Sequence, residues 1–421
     1  MGLGAPKREP TAMVSFIRPS TASRRNPTTA VVAALAIAAC LLTAPAHGQF
    51  APNFTVNAPY AIVVDYESGT VLYEKSADTP WPPASLAKLM TMELVFNEIK
   101  NGDLKLQEEL VVSANAWRKG GAPAGGSTMF AAVHSRISVE NLIQGVVVQS
   151  GNDACIVFAE ALAGNEDSFA RMMNARAREL GLDSAEFRNS TGLHDREQVI
   201  SVRDLARLAA HLIRTYPEFY KYYGQTEFTW NKIRQLNRNP LLEMNIGADG
   251  LKTGYIKESG YGIVGSATQD GQRLIVVVNG AETPKERANE ARKLLEWAFR
   301  NFESRLLFSA GAVVAQARVF GGDQRYVPLV GQGAIRLLSP RSGGDKFVVR
   351  AQYTGPLPAP IKKGAEVARL RVFRGSSVAL EVPLFAAADV GAGSLMQRAY
   401  DSTSEIAAGL VRSGIASVLK R

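Results

Sequence analysis

The chain has 421 residues, 46% of them hydrophobic and 21% charged, proportions that suit a globular protein of two or more domains and exclude a disordered or fibrous one. Its formal net charge of +9 is concentrated at the N-terminus: residues 1–48 carry Lys7, Arg8, Arg18, Arg24 and Arg25 against Glu9, a net +4, which leaves +5 for all the rest. So small an excess, with no Lys/Arg run interleaved with aromatics, points to no nucleic-acid partner.

The chain opens with "SRRNPTTAVVAALAIAACLLTAPAHGQF", in which a basic region leads to an apolar run from Ala30 to Leu42 and then to small residues. That is the pattern of a secretory signal over 1–48, and it implies export. The run falls short of the roughly 20 apolar residues that span a bilayer. Ser23-Arg24-Arg25 and "IAAC" (37–40) match twin-arginine export and lipoprotein cleavage poorly. The first lacks apolar residues soon after the arginines, and in the second the apolar run continues past Cys40. Cleavage near residue 48 leaves Cys155 alone, so no intramolecular disulfide can form; within "ACIVFAEALAG" it reads as a small buried hydrophobe. The four histidines do not cluster and neither HExxH nor CxxC occurs, so no metal or other cofactor is expected.

Next, "AIVVDYESGTVLYEK" (61–75) predicts a hairpin about Glu67-Ser68-Gly69, and "YGIVGSATQDGQRLIVVVNG" (261–280) a second about Asp270-Gly271. Between them "VENLIQGVVVQ", "NDACIVFAEALAG", "EDSFARMMNARAREL" and "SVRDLARLAAHLIRTY" space apolar residues at helical intervals, as does "PKERANEARKLLEWAFRNFE" after the second hairpin. Strands at both ends with helices between predict one sheet assembled from distant segments and covered by helices, over 56–303. From 304 to 388 six β-prone runs divided by Gly/Pro-rich turns predict a separate small all-β domain, a spacer or a partner-binding module. The tail, 394–421, sets Leu395, Ala399, Ile406, Leu410, Ile415 and Val418 on one helical stripe with a basic C-terminal end. It predicts an amphipathic helix on a membrane surface, against the alternative of a helix docked on its own domain.

Within "PPASLAKLMT", Ser85 and Lys88 stand three residues apart, which a helix brings onto one face with their tips in hydrogen-bond reach. Pro82 and Pro83 suit the first turn, where a backbone donor has no partner, and the positive helix end there favours a developing oxyanion near Ser85. A serine hydroxyl needs a base, and lysine can serve only where burial or a nearby cation lowers its pKa. Two further strings supply polar groups: "VVVQSGND", with Ser150-Gly151-Asn152, and "GLKTGY", with Lys252-Thr253-Gly254 just ahead of the second hairpin.

The three motifs in this order, with "GGSTMF", "FTWNKIRQLNRNPLL" and "ADGLKTGYIKESGYGIVGSA", resemble the serine D-Ala-D-Ala carboxypeptidases, the low-molecular-mass penicillin-binding proteins, closely over about 58–303. The resemblance implies a penicillin-binding/β-lactamase-like α/β (α+β) fold with an antiparallel sheet. It implies, as partners, peptidoglycan stem pentapeptides and β-lactams. Ser85 would attack the penultimate D-alanine carbonyl with Lys88 as base, and Ser150 would relay protons. Asn152 would hold the substrate amide. Lys252 would lower the Lys88 pKa and, with Thr253, attract the terminal carboxylate, as would Arg287 in "TPKERANEA". Tyr255 follows Gly254 where many relatives carry a hydroxyl residue or histidine. There the resemblance assigns mainly its backbone N–H, paired with that of Ser85, to an oxyanion hole.

The signal over 1–48 and the tail together predict an exported, periplasmic protein, peripheral on the outer face of the cytoplasmic membrane. A β-lactamase is the nearest alternative, but its water-activating glutamate belongs to an E-x-x-L-N string, and Glu243 in "LLEMN" lacks that spacing. A non-catalytic wall-binding scaffold is a second, and endopeptidase action on cross-linked peptides a third.

Overall fold

The computed structural model describes residues 54–342, 346–375 and 377–403. The signal expected over 1–48 and residues 404–421 of the tail therefore lie outside the described residues.

The larger region runs, in chain order, through strands β1 (Tyr60–Asp65) and β2 (Val71–Lys75), helix α1 (Lys88–Asn101), strand β3 (Glu109–Val111), helix α2 (Ala114–Gly120), strand β4 (Arg136–Ser138), helices α3 (Val139–Val147), α4 (Asn152–Ala163), α5 (Glu166–Glu179), α6 (Val202–Thr215) and α7 (Pro217–Tyr220), strands β5 (Glu227–Trp230), β6 (Ile233–Leu236), β7 (Ala248–Ile256), β8 (Gly260–Gln269) and β9 (Gln272–Ala281), and helix α8 (Pro284–Asn301). Both expected hairpins form, β1–β2 and β8–β9. They join edge to edge, Ile62 opposite Val277, into one antiparallel sheet of order β2-β1-β9-β8-β7.

The sheet is apolar on both faces, which is why "AIVV" and "LIVVV" read as continuous runs rather than alternating ones. Ile62, Val264, Ile275 and Val277 face the core they share with α1 and α3–α6. Their neighbours Ala61, Val63, Ile263, Val276 and Val278 face Leu294, Leu295 and Ala298 of α8. Thr283 caps α8 through Glu286 N, at 3.0 Å, and Pro284 fills a first-turn position whose donor would be unpaired.

One local expectation changes. Pro82 and Pro83 precede a 3-10 turn, Ala84–Ala87, instead of lying in the first α-turn; Ser85 sits in that turn and Lys88 opens α1. The tighter winding eclipses residues three apart and so aligns the pair more directly than an α-turn would.

Phe302 and Glu303, expected at the end of the last helix, begin a strand instead: Phe302–Phe308 pairs with Ile335–Pro340. Beyond it a six-stranded sheet and its own core of Val319, Val327, Leu329, Leu370, Val372 and Leu384 make the all-β region. Residues 395–403 are helical. No helix of the described residues is long and apolar enough to cross a membrane.

Candidate active site

The 3-10 turn, the start of α4 and the edge strand β7 converge on Lys88. Its Nζ lies 2.9 Å from Ser85 Oγ and 2.8 Å from Asn152 Oδ1, and it also donates to the Thr191 carbonyl. Ser85 is half-buried and Lys88 wholly buried. Burial is the first cause that lowers Lys88 to about 8; Arg238 lowers it further, while Cys155 and Asp153 act the other way.

With three N–H donors a protonated Lys88 makes all three contacts, and a neutral amine keeps two of them. Such an amine has two N–H donors and one lone pair, and Asn152 Oδ1 and the Thr191 carbonyl can only accept. Both N–H groups go to them, and the lone pair is left facing Ser85 Oγ–H. The arrangement can take the serine proton as the oxygen attacks.

Lys252 lies in the same buried environment, 3% exposed, with Nζ donating to Thr253 O at 3.0 Å. Burial first, then the positive charges of Lys88 and Arg238, hold its pKa well below that of a free lysine. Thr253 is buried beside it. Gly254 lets β7 lie on the serine turn, because a β-carbon there would stand 3.0 Å from Pro83 O and 3.2 Å from Leu86 N. Ser150 is buried with φ +66°, and among the described residues its Oγ has no hydrogen-bond partner. A non-glycine residue held in that region costs roughly 1–3 kcal/mol and persists where its surroundings impose it.

Tyr255 and Arg287 stand outside the buried group. The Tyr255 ring is half-exposed and stacks on Tyr261, with centroids 4.1 Å apart, and the Arg287 guanidinium sits 5.9 Å from the Tyr261 ring. Arg287 Nε has no partner among the described residues, and burial lowers the pKa of this arginine. The side wall is thus aromatic, with a cation behind it.

Sequence reasoning missed Thr191, Gly192 and Asp153. Asn189 Oδ1 accepts from Thr191 N at 3.2 Å, Thr191 Oγ1 at 2.9 Å and Gly192 N at 2.8 Å, folding "NSTGL" so that the Thr191 carbonyl faces Lys88. An Asn-x-x-Gly turn was the available signal. Asp153 accepts from Thr128 Oγ1 at 2.6 Å and from the backbone N–H groups of Met129, Ala131 and Ala154 at 3.0–3.1 Å, so it is fully engaged and no free base. Glu243 is exposed on the turn Pro240–Glu243. No cluster of metal-ligating side chains occurs among the described residues.

A family model described as D-alanyl-D-alanine carboxypeptidase matches residues 46–283, and one described as penicillin-binding protein 5, C-terminal domain, matches 302–392. The chain is 40% identical over 377 residues to D-alanyl-D-alanine carboxypeptidase DacC of Escherichia coli (strain K12), covering 87% of this chain and 94% of that protein. It is 36% identical over 351 residues to DacA of the same strain, covering 82% and 87%. Among solved structures, penicillin binding protein 5 from Haemophilus influenzae matches with a TM-score of 0.71 at 35% identity, covering 82% of this chain and 100% of that one. Penicillin-Binding Protein D2 from Listeria monocytogenes in its cefotaxime-bound form matches with a TM-score of 0.54 at 32% identity, covering 59% and 100%. Likeness of this extent includes both the region that holds the serine turn and the all-β region after it, and the chain belongs to the D-alanyl-D-alanine carboxypeptidase family of penicillin-binding proteins.

Proposed function

We propose that this enzyme, a serine-type D-Ala-D-Ala carboxypeptidase, removes the terminal D-alanine from peptidoglycan stem pentapeptides through an acyl-enzyme on Ser85. The observation that carries the reading is the position of Lys88 Nζ between Ser85 Oγ and two oxygens that can only accept. Ser85 Oγ bonds to the penultimate carbonyl carbon as its proton passes to Lys88. The C–N bond to the terminal D-alanine then breaks, and the leaving amine takes a proton through Ser150, whose hydroxyl has no other partner among the described residues. Water attacks the ester and releases the shortened peptide.

Asn152 holds the substrate amide. Lys252, Thr253 and Arg287 receive the terminal carboxylate, which favours a substrate that ends in a free acid. The N–H groups of Ser85 and Tyr255 form the oxyanion hole, a role supported by the close packing of β7 on the serine turn. β-Lactams acylate the same serine; relatives of this fold are described with cefotaxime and ampicillin bound.

The enzyme works outside the cytoplasm, exported by the signal in 1–48 and held by its tail to the outer face of the membrane. Support for the tail comes from its first turns. Asp401 accepts from Gly321 N at 2.8 Å, so a polar side chain meets the all-β region, while Leu395 and Met396 are 80% and 85% exposed.

Release of D-alanine from a synthetic pentapeptide, with a cross-linked dimer as second substrate, tests the activity. Release from the pentapeptide with a burst of acyl-enzyme is expected. Turnover of the cross-linked dimer alone would replace carboxypeptidase by endopeptidase action.

A further inference from the structure

A strap, residues 127–131, lies across the start of α4. Its backbone joins the site directly, since Asn152 N donates to Ser127 O at 2.8 Å. Asp153 pins the strap from the α4 side. From the opposite side two residues of one segment hold it: Gln235 Nε2 donates to Met129 O at 3.1 Å, and Arg238 Nη1 to Ser127 Oγ at 2.5 Å.

Arg238 is itself fixed between two asparagines. Asn237 Nδ2 donates to Gln225 O at 2.7 Å and Asn237 Oδ1 accepts from Asn239 N at 2.9 Å; Asn239 Oδ1 accepts from Leu241 N at 3.1 Å. A continuous path results: Arg238, Ser127, Asn152, Lys88. Gly126 belongs to the same close fit, because a β-carbon on it would lie 3.2 Å from Asn152 Nδ2.

We propose that Ser127 and Arg238 form a clamp that seats the strap on Asn152 and holds a third positive charge at the rim of the Lys88/Lys252 pocket, making Arg238 a positioning residue for acylation. The inference rests on Ser85 and Lys88 acting as nucleophile and base. Charge and tether have separable consequences. Lys88 is faced by Asp153 and Cys155 of α4, by Lys252 of β7 and by Arg238; Arg287 acts on Lys252, and Glu166 of α5 on Cys155. Of these, Arg238 adds positive charge from outside the catalytic group, and its removal makes protonated Lys88 easier to keep. Part of the Arg238 side chain is exposed, so solvent and salt moderate the effect.

The test is the pH dependence of the second-order acylation rate with a fluorescent penicillin, read at the Ser85 adduct for wild type, Arg238→Gln, Arg238→Lys and Ser127→Ala. The account expects Arg238→Gln to move the acidic limb up by about half a pH unit and to slow acylation several-fold at neutral pH. Arg238→Lys should keep the limb and lose rate through the weakened clamp. Ser127→Ala should slow acylation with a smaller limb shift. Coincident limbs for wild type and Arg238→Gln, with all three variants acylating at the wild-type rate, would overturn the proposal. If Arg238→Gln fails to fold, Ser127→Ala decides alone: wild-type rate overturns the clamp and slowed acylation supports it. Absence of any adduct at wild-type Ser85 would instead overturn the underlying reading.

Discussion

Gly192 stands so close to Ala84 that a β-carbon on it would lie 1.9 Å from the Ala84 carbonyl oxygen, with its own φ at +81°. The loop that presents the Thr191 carbonyl to Lys88 thus also presses on the turn that carries Ser85. Gly192→Ala should displace one or the other. It is expected to cost about 2 kcal/mol of stability and to slow acylation more than tenfold, as compared by thermal melting and penicillin labelling. Wild-type labelling would mean that the turn does not depend on this contact.

The lowered pKa of Lys88 predicts a pH profile. Only the neutral amine accepts the Ser85 proton, so acylation should rise with pH and reach half its plateau near Lys88's value of about 8. An ordinary lysine would place that midpoint near 10.4. A midpoint there, measured as acylation rate across pH 6 to 11, would contradict burial as the activating device.

Behind the site, Glu93 of α1 is fully buried, and its Oε1 accepts from Arg176 Nε of α5 at 2.9 Å and from Tyr216 Oη at 3.0 Å, with His211 Nε2 of α6 at 3.3 Å. Glu93→Gln keeps the volume and removes the charge. It should cost about 2 kcal/mol and lower the melting temperature by a few degrees while leaving acylation within twofold. An unchanged melting curve would show that the α1–α5–α6 link contributes little.

Deleting 394–421 should leave turnover of small peptides unchanged and abolish co-sedimentation with anionic vesicles, which salt should also weaken because basic residues contribute about 1 kcal/mol each near anionic lipid. If both forms stayed in the supernatant at low salt, the exposed Leu395 and Met396 would need another explanation.

What could be read from the sequence follows from how the groups are brought together. Ser85 and Lys88 were legible as a pair because three residues of helical turn suffice to join them, and the two hairpins announced themselves through Gly69 and Asp270-Gly271. The all-β fold after residue 301 was legible from its turns, but its first strand was hidden, because Phe302 and Glu303 continue the helical pattern of α8. Thr191, 103 residues from Lys88, and the Ser127–Arg238 contact, spanning 111 residues, were not legible. Their side chains or carbonyls reach the site through loops with no periodicity, and a backbone acceptor leaves no mark on residue type. Tyr255 illustrates the converse: its position beside Gly254 was plain, yet its outward stacking on Tyr261 depends on the register of β7 with β8.

The most direct test of the account is intact-mass analysis of the mature protein after brief exposure to penicillin, followed by peptide mapping of the adduct. The account predicts one added penicilloyl group on the peptide that contains Ser85 in wild type and none in a folded Ser85→Ala variant. A stoichiometric adduct on another residue, or one that persists in Ser85→Ala, would contradict it.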